Sequence, residues 1–177
     1  MFKNLLCGLA ITLVGAAYVT KTHAQTEALI PDTQIAKIVM TIDEGEIDLG
    51  KVAKKHAQNQ EVKAFATMMV DRHEAGKKEL KRFAKKNNIK PEDSVLAKSL
   101  EDETEKAEKD LKRQEKSAFD RAYIQSQITM HKKALSTLRD SLIPSAQNTA
   151  FKTHLEKVAT HVAEHLEHAK TIQTKIQ

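Results

Sequence analysis

A helical hydrophobic repeat that continues through most of the chain is the feature that most constrains the fold. Between Ile35 and Ile176, apolar residues recur every three or four positions, and no stretch alternates apolar and polar residues for more than a few positions. A repeat near 3.6 residues indicates amphipathic α-helices, whereas half-buried strands require a repeat of two. The chain has only 5 Gly and 3 Pro in 177 residues, which also argues against a turn-rich β fold. The sequence therefore predicts an all-α protein.

Capping residues divide this repeat into four long helices and one shorter helix. Residues that favour helix starts stand before or at the beginning of the long helices: Asp32, Asn59, Ser117 and Asn148. The third long helix is expected to end at Pro144. Residues 94–115 carry dense, alternating charges, which is typical of an exposed helix with many ion pairs. Because the other two connections are short, this helix has to cross the bundle from end to end. We expect a ferritin-like four-helix bundle with an additional crossover helix between the second and third long helices.

The first 24 residues have the pattern of an export signal. A positive charge precedes an apolar run of 15 residues, and Ala24 ends a small-residue cleavage site. The run is shorter than the ~20 apolar residues of a spanning helix, so a retained membrane anchor is the less favoured alternative. Cleavage removes Cys7, the only cysteine, which suits an oxidising compartment. We expect a signal peptide at 1–24, a bundle domain at 25–177, and a location in the periplasm without a stable membrane span.

Each long helix places one titratable side chain where its apolar stripe should continue. These residues are Glu46, His73, His131 and His165, and His161 lies one turn before His165 as an alternative. Packing of the four stripes brings a carboxylate and several imidazoles into one interior region. Imidazole nitrogens and carboxylate oxygens suit zinc, iron, manganese or copper. The pattern predicts a site for a divalent transition metal ion.

A buried hydrogen-bonded network is the alternative interpretation of the same side chains. A lone histidine on an apolar face is commonly a satisfied core residue, and a buried carboxylate requires a partner of some kind. The sequence has no glycine-rich phosphate loop and no Ser-His-Asp arrangement, so no catalytic residue is predicted. The net charge is +5, but the basic run on the second helix lacks interleaved aromatic residues. Nucleic acid is therefore not an expected partner.

Three segments carry a family resemblance: FATMMVDRHEAGKKELKRFAKK (65–86), FDRAYIQSQITMHKKAL (119–135) and LEKVATHVAEHLEHAKTI (155–172). Together they resemble the domain-of-unknown-function 4142 family of secreted bacterial proteins. The resemblance implies a ferritin-like bundle with His73, His131 and His165 as recurring histidines, and it implies no established activity. Relatives are expected to carry an acidic residue where this chain has Arg72.

Carboxylates are too few for a di-iron site of the ferritin type. Such sites use four carboxylates and two E-x-x-H pairs, and no long helix here carries that pair. We therefore expect either a single metal ion or no metal. The two functional interpretations are a metal-binding protein in envelope metal handling or stress protection, and a metal-free periplasmic structural or interaction module.

Overall fold

A computed structural model describes residues 29–176, so the predicted signal peptide at 1–24 lies outside the described residues. Within the described range the chain forms helices and no strands, which confirms the all-α prediction. The main helices are α1 (Asp32–His56), α2 (Gln60–Lys86), α3 (Val95–Lys112), α4 (Lys116–Thr137) and α5 (Thr149–Lys175). In the same range, none of the helices is both long enough and apolar enough to cross a membrane.

The helices pack as two hairpins, α1 with α2 and α4 with α5, and α3 lies against α1. Asp120, near the start of α4, accepts hydrogen bonds from the backbone N–H groups of Gln58 and Asn59, at 3.0 and 2.8 Å. These groups lie at the start of α2, so α2 and α4 begin at the same end of the bundle and run parallel. The chain therefore crosses the length of the bundle through α3, as predicted. The likeness to ferritins in particular stays a prediction.

The first helix begins at Asp32 as predicted, but two of the predicted capping roles are wrong. Asp32 is the first residue of α1 and not its cap, and its carboxylate accepts hydrogen bonds from the N–H groups of Gln147 and Asn148, both at 3.0 Å. Ser117 does not cap α4, which begins one residue earlier and has no side-chain cap. In both cases the acidic side chain near the helix start binds the loop of the other hairpin. The asparagine caps of α2 and α5 are confirmed.

The third long helix, α4, was expected to end at Pro144, but helical turns continue through this proline to Ser145. After α4 the chain continues through a π-helical turn, Leu138–Leu142, and then a short helical turn, Ile143–Ser145. A proline ring collides with the carbonyl four residues earlier in a regular α-helix. The wider π turn relieves that collision, so the helix passes the proline before it ends.

Two glycines let α1 approach its neighbours closely. A Cβ atom on Gly45 would lie 2.5 Å from Oγ1 of Thr104 on α3. One on Gly50 would lie 2.7 Å from Cγ2 of Val70 and 3.2 Å from the carbonyl oxygen of Ala66, both on α2. Therefore α1 is held between α2 on one side and α3 on the other.

The buried apolar residues form two clusters at opposite ends of the bundle. One cluster includes Phe65 and Tyr123, and the other includes Phe151 and Leu155. Between them lie buried polar residues from the middle of each long helix, which we call the polar layer: Asp43, Glu46, His73, Gln127, His131 and His165. The four apolar stripes are thus interrupted at one common level.

Candidate metal centre

Three histidines from three different helices meet in the polar layer. His73 of α2, His131 of α4 and His165 of α5 each offer a ring nitrogen within 4.8 Å of the other two. Their ring centroids lie 5.4 to 6.1 Å apart. The residues expose only 6%, 2% and 9% of their surface. We call this cluster the histidine triad.

The orientation of His73 is fixed by a carboxylate on α1. Its Nδ1 lies 2.8 Å from Oδ1 of Asp43, in a contact that is buried. Nε2 of His73 is also buried, and it has no hydrogen-bond partner in the described part of the chain. Metal-binding histidines commonly donate one ring N–H to a carboxylate and use the other nitrogen as ligand. The Asp43–His73 pair has that arrangement.

His131 is oriented by the backbone of its own helix. Its Nδ1 donates to the carbonyl oxygen of Gln127, 2.9 Å away. Because a carbonyl only accepts, Nδ1 carries the hydrogen and Nε2 keeps a free lone pair. For His165, the buried Nδ1 atom has no partner among residues 29–176. In each member of the triad, therefore, at least one ring nitrogen makes no hydrogen bond to the described part of the protein.

Burial keeps two of the three imidazoles neutral near pH 7. It lowers the pKa of His165 to about 3, with further lowering by His73, His131, His161 and Arg72. Burial also lowers the pKa of His131, although the charge of Glu46 opposes this. Neutral imidazole is the form that coordinates metal ions.

The Asp43–His73 pair behaves differently, because the carboxylate of Asp43 favours the protonated form of His73. Burial lowers the pKa of His73, but the hydrogen bond to Asp43 and the charges of Glu46 and Asp43 outweigh it, so the net shift is upward. The pKa of Asp43 is also raised, chiefly by burial. The proton shared with Asp43 lies on the Nδ1 side of the His73 ring, so Nε2 is the nitrogen that a metal ion would use.

Glu46 lies behind His131, outside the triad. Its Oε1 is 3.7 Å from Nδ1 of His131, the nitrogen that faces the Gln127 carbonyl. Its Oε2 accepts a hydrogen bond of 2.9 Å from Nε2 of Gln127. Glu46 is only 2% exposed, yet it does not belong to the group whose ligand atoms converge. Coordination by Glu46 stays a prediction.

His161, the alternative to His165, lies at the surface. Its side chain is 65% exposed, and its Nδ1 lies 3.3 Å from Oε2 of Glu164. It lines the rim of a cleft of about 180 Å³, together with His154 and Arg72. His73, Asp43 and His165 line the same cleft, which therefore connects the triad with solvent.

A family model described as a domain of unknown function (DUF4142) matches residues 17–172. The chain belongs to the DUF4142 family. Comparisons with curated proteins and with solved structures found no match. The DUF4142 description states no activity, so the chemistry of the site has to carry the functional argument.

Sequence reasoning missed three polar residues near the triad of this DUF4142 chain. Asp43 stands three residues before Glu46, and Gln127 stands four residues before His131, so each shares a helix face with a predicted site residue. That spacing was the available signal. The third residue, Tyr123 of α4, is fully buried, and its hydroxyl lacks a hydrogen-bond partner in the described range. Burial and the charge of Glu46 raise the pKa of this phenol.

The triad has the donor set of a mononuclear site. Three imidazoles with a fourth, open position form one of the common zinc arrangements in proteins. The carboxylate behind His73 and the backbone carbonyl behind His131 supply the outer hydrogen bonds that such ligands need. The residues present therefore fit a single transition metal ion.

Proposed function

We propose that this DUF4142 protein binds one divalent transition metal ion through His73, His131 and His165. The observation that supports this most is the state of two buried ring nitrogens, His73 Nε2 and His165 Nδ1, which lack partners within residues 29–176. A buried polar atom without a partner costs about 1–3 kcal/mol. Coordination removes this cost at His73, whereas a purely hydrogen-bonded network leaves it in place.

The donor set favours zinc or copper, and iron next. Imidazole suits these ions, whereas manganese prefers carboxylate and water ligands. Nitrogens about 2.1 Å from a tetrahedral ion lie about 3.4 Å from one another. The three rings now offer nitrogens within 4.8 Å, so binding would draw them together by a small movement.

The expected role is metal handling or protection against metal stress in the periplasm, where the export signal would deliver the protein. A site reached through a cleft suits an ion that is taken up and released. The histidine rim of that cleft, His154 and His161, provides further imidazoles along the route. No catalytic step is proposed, since none of the described residues around the triad is arranged as a nucleophile.

Elemental analysis and zinc titration test this function. The protein purified after expression of the full chain should hold about one equivalent of metal, and zinc should raise its melting temperature, because a ligand that binds the folded state stabilises it. A His73→Ala/His131→Ala double variant should hold little metal and show no such rise. His161→Ala is the matched control, because it removes an imidazole from the same cleft without touching the triad.

Two results would overturn the proposal. In the first, the wild-type protein binds no zinc, copper or iron and its melting temperature does not respond to them. In the second, His161→Ala loses metal as completely as the double variant, which would move the site to the rim of the cleft.

A further inference from the structure

A second cavity lies on another side of the polar layer, lined by residues of α1, α3 and α4. Its volume is about 140 Å³. Most of its wall is aliphatic, and the apolar side chains that line it are Ile42, Leu100, Ala107, Met130 and Ala134. Glu46 also lines it and is the one carboxylate of its wall with almost no exposure to solvent. The cavity is therefore an apolar chamber with a buried acceptor.

Glu46 has few partners for a carboxylate so deeply buried. Its single hydrogen bond in the described structure comes from the neutral amide of Gln127 and engages Oε2. Oε1 lies 3.7 Å from Nδ1 of His131, but that nitrogen donates to a backbone carbonyl. Burying a carboxylate is costly unless a cation or several donors compensate. The side chain thus brings an unused acceptor to a cavity whose other polar lining residues are Glu103, Thr104, Lys133 and Thr137.

The cation nearest the cavity mouth is engaged elsewhere. Lys133 lines the cavity with its stem, and its Nζ lies 2.6 Å from each carboxylate oxygen of Glu103 on α3. Both side chains are about half exposed, so this pair lies at the surface. The ammonium group of Lys133 is therefore paired with Glu103 and not with Glu46.

We propose that this cavity binds a small primary ammonium ion with a short aliphatic chain. The ammonium group would donate to Oε1 of Glu46, and the chain would lie among the aliphatic side chains. A cavity of about 150 Å³ holds a molecule the size of benzene, so the chain has about four carbons. A hydrated divalent cation does not fit this wall, which offers one buried carboxylate where such ions need several oxygen ligands.

This inference does not depend on the histidine triad. The triad lies on the cleft side and uses ring nitrogens, whereas the ammonium site uses a carboxylate that does not converge with them. Either site can be wrong without the other. Experiments on the cavity are therefore done on protein treated with a chelator.

Isothermal titration calorimetry with n-butylammonium chloride at pH 7 tests the proposal, with n-butanol as the neutral ligand of equal length. We expect n-butylammonium to bind with a stoichiometry of one and at least about tenfold more tightly than n-butanol, because hydrogen bonds to charged groups are the stronger ones. Glu46→Gln should weaken n-butylammonium about tenfold and leave n-butanol unchanged. This variant keeps the shape of the side chain and the contact with Gln127.

Filling the cavity provides the matched control. Ala107 on α3 is half-buried, and Ala107→Leu should abolish binding of both ligands while the circular dichroism and the melting temperature stay close to those of the wild type. Equal binding of n-butanol and n-butylammonium would show an apolar cavity without charge recognition and would overturn the proposal. Absence of binding, or n-butylammonium binding that survives both substitutions, would overturn it as well.

Discussion

Two carboxylates on α1, one turn apart, face different parts of the molecule and have different hydrogen-bond partners. Asp43 lies on the cleft side and hydrogen-bonds a histidine, which can take a positive charge. Glu46 lies on the cavity side and has only a neutral amide for a donor. Both are buried, at 8% and 2% exposure, so burial alone does not distinguish their roles. Their hydrogen-bond partners do: the first carboxylate orients His73, and the second has one oxygen without a hydrogen bond among the described residues.

The walls of the two sides also differ in how firmly they are packed. The cleft is bounded by α2 and α5, which contribute many buried residues to both apolar clusters. The cavity is covered by α3, of which only Ala97 and Leu111 are buried. Opening the cavity side therefore disturbs less apolar packing than opening the cleft side.

The largest expected difference between the two carboxylates is in metal affinity. Asp43→Asn should weaken zinc binding about 10–100-fold, because the carboxylate orients His73 and raises its basicity. Glu46→Gln should have a much smaller effect, since Glu46 contacts no free ring nitrogen. Competition with a chromophoric chelator measures both constants. Equal losses in the two variants would contradict the distinction between the two sides.

The metal-free protein should become less stable as the pH falls below 6.5. The pKa of His165 is about 3 when folded and near 6.5 when unfolded, so the unfolded state binds more protons in this interval, and His131 acts in the same direction. The raised pKa values of His73 and Asp43 act oppositely, since each of these groups binds its proton more tightly in the folded state, which adds stability that is lost as the pH rises. We expect a net loss of about 1 kcal/mol between pH 7 and pH 5.

Urea unfolding with a chelator at pH 7, 6 and 5 measures this loss. His165→Gln should flatten the dependence on pH. Asp43→Asn should steepen it, because His73 then loses the partner that raises its pKa. Curves for the variants that run parallel to the wild-type curve would show that these groups do not control acid stability.

A methyl group added at a close helix contact should lower the free energy of unfolding more where α1 meets α2 than where it meets α3. Gly50→Ala pushes a Cβ against the backbone and a valine of α2, and we expect a loss of about 1–2 kcal/mol in the free energy of unfolding. Gly45→Ala meets a side chain of the lightly packed α3, so its loss should be smaller. Adding Thr104→Ala should restore stability in the second case. Urea titrations of the three variants decide whether α3 yields more readily than α2.

Gly76 on α2 should give the smallest effect, and one of opposite sign. A Cβ there would lie 3.6 Å from the carboxylate oxygens of Asp43, which is ordinary contact. Gly76→Ala should therefore gain up to about 1 kcal/mol from helix propensity alone. Thermal unfolding measures the gain, and unchanged zinc stoichiometry would show that the cleft stays open. A loss of stability would mean that the cleft side tolerates no added volume.

Much of the fold was predictable because its determinants are local. The apolar stripes are interrupted at His73, His131 and His165, and the asparagine caps stand directly before their helices, so both signals act over only a few residues. The long crossover followed from the lengths of the connections. Each of these features depends on helical geometry, which a sequence pattern expresses directly.

The remainder depends on contacts between distant parts of the chain. Asp32 and Asp120 resemble local helix-start residues, but they bind loops that lie 115 and 62 positions away. The choice between His161 and His165 depends on how α5 is rotated about its axis, and both residues fit the same spacing. Asp43 is polar on a helix that carries other polar residues, so nothing local marks it as the partner of His73.

The polar layer draws its members from both hairpins, with Asp43, Glu46 and His73 from the first and Gln127, His131 and His165 from the second. A metal ion held by the triad would therefore join two chain segments that separate when the bundle opens. Residues 29–176 contain no cysteine, so the bound ion would serve as a reversible cross-link between the two hairpins. Its removal would leave the contacts within each hairpin intact and free the two hairpins to part, so hydrogen exchange should quicken first where they meet.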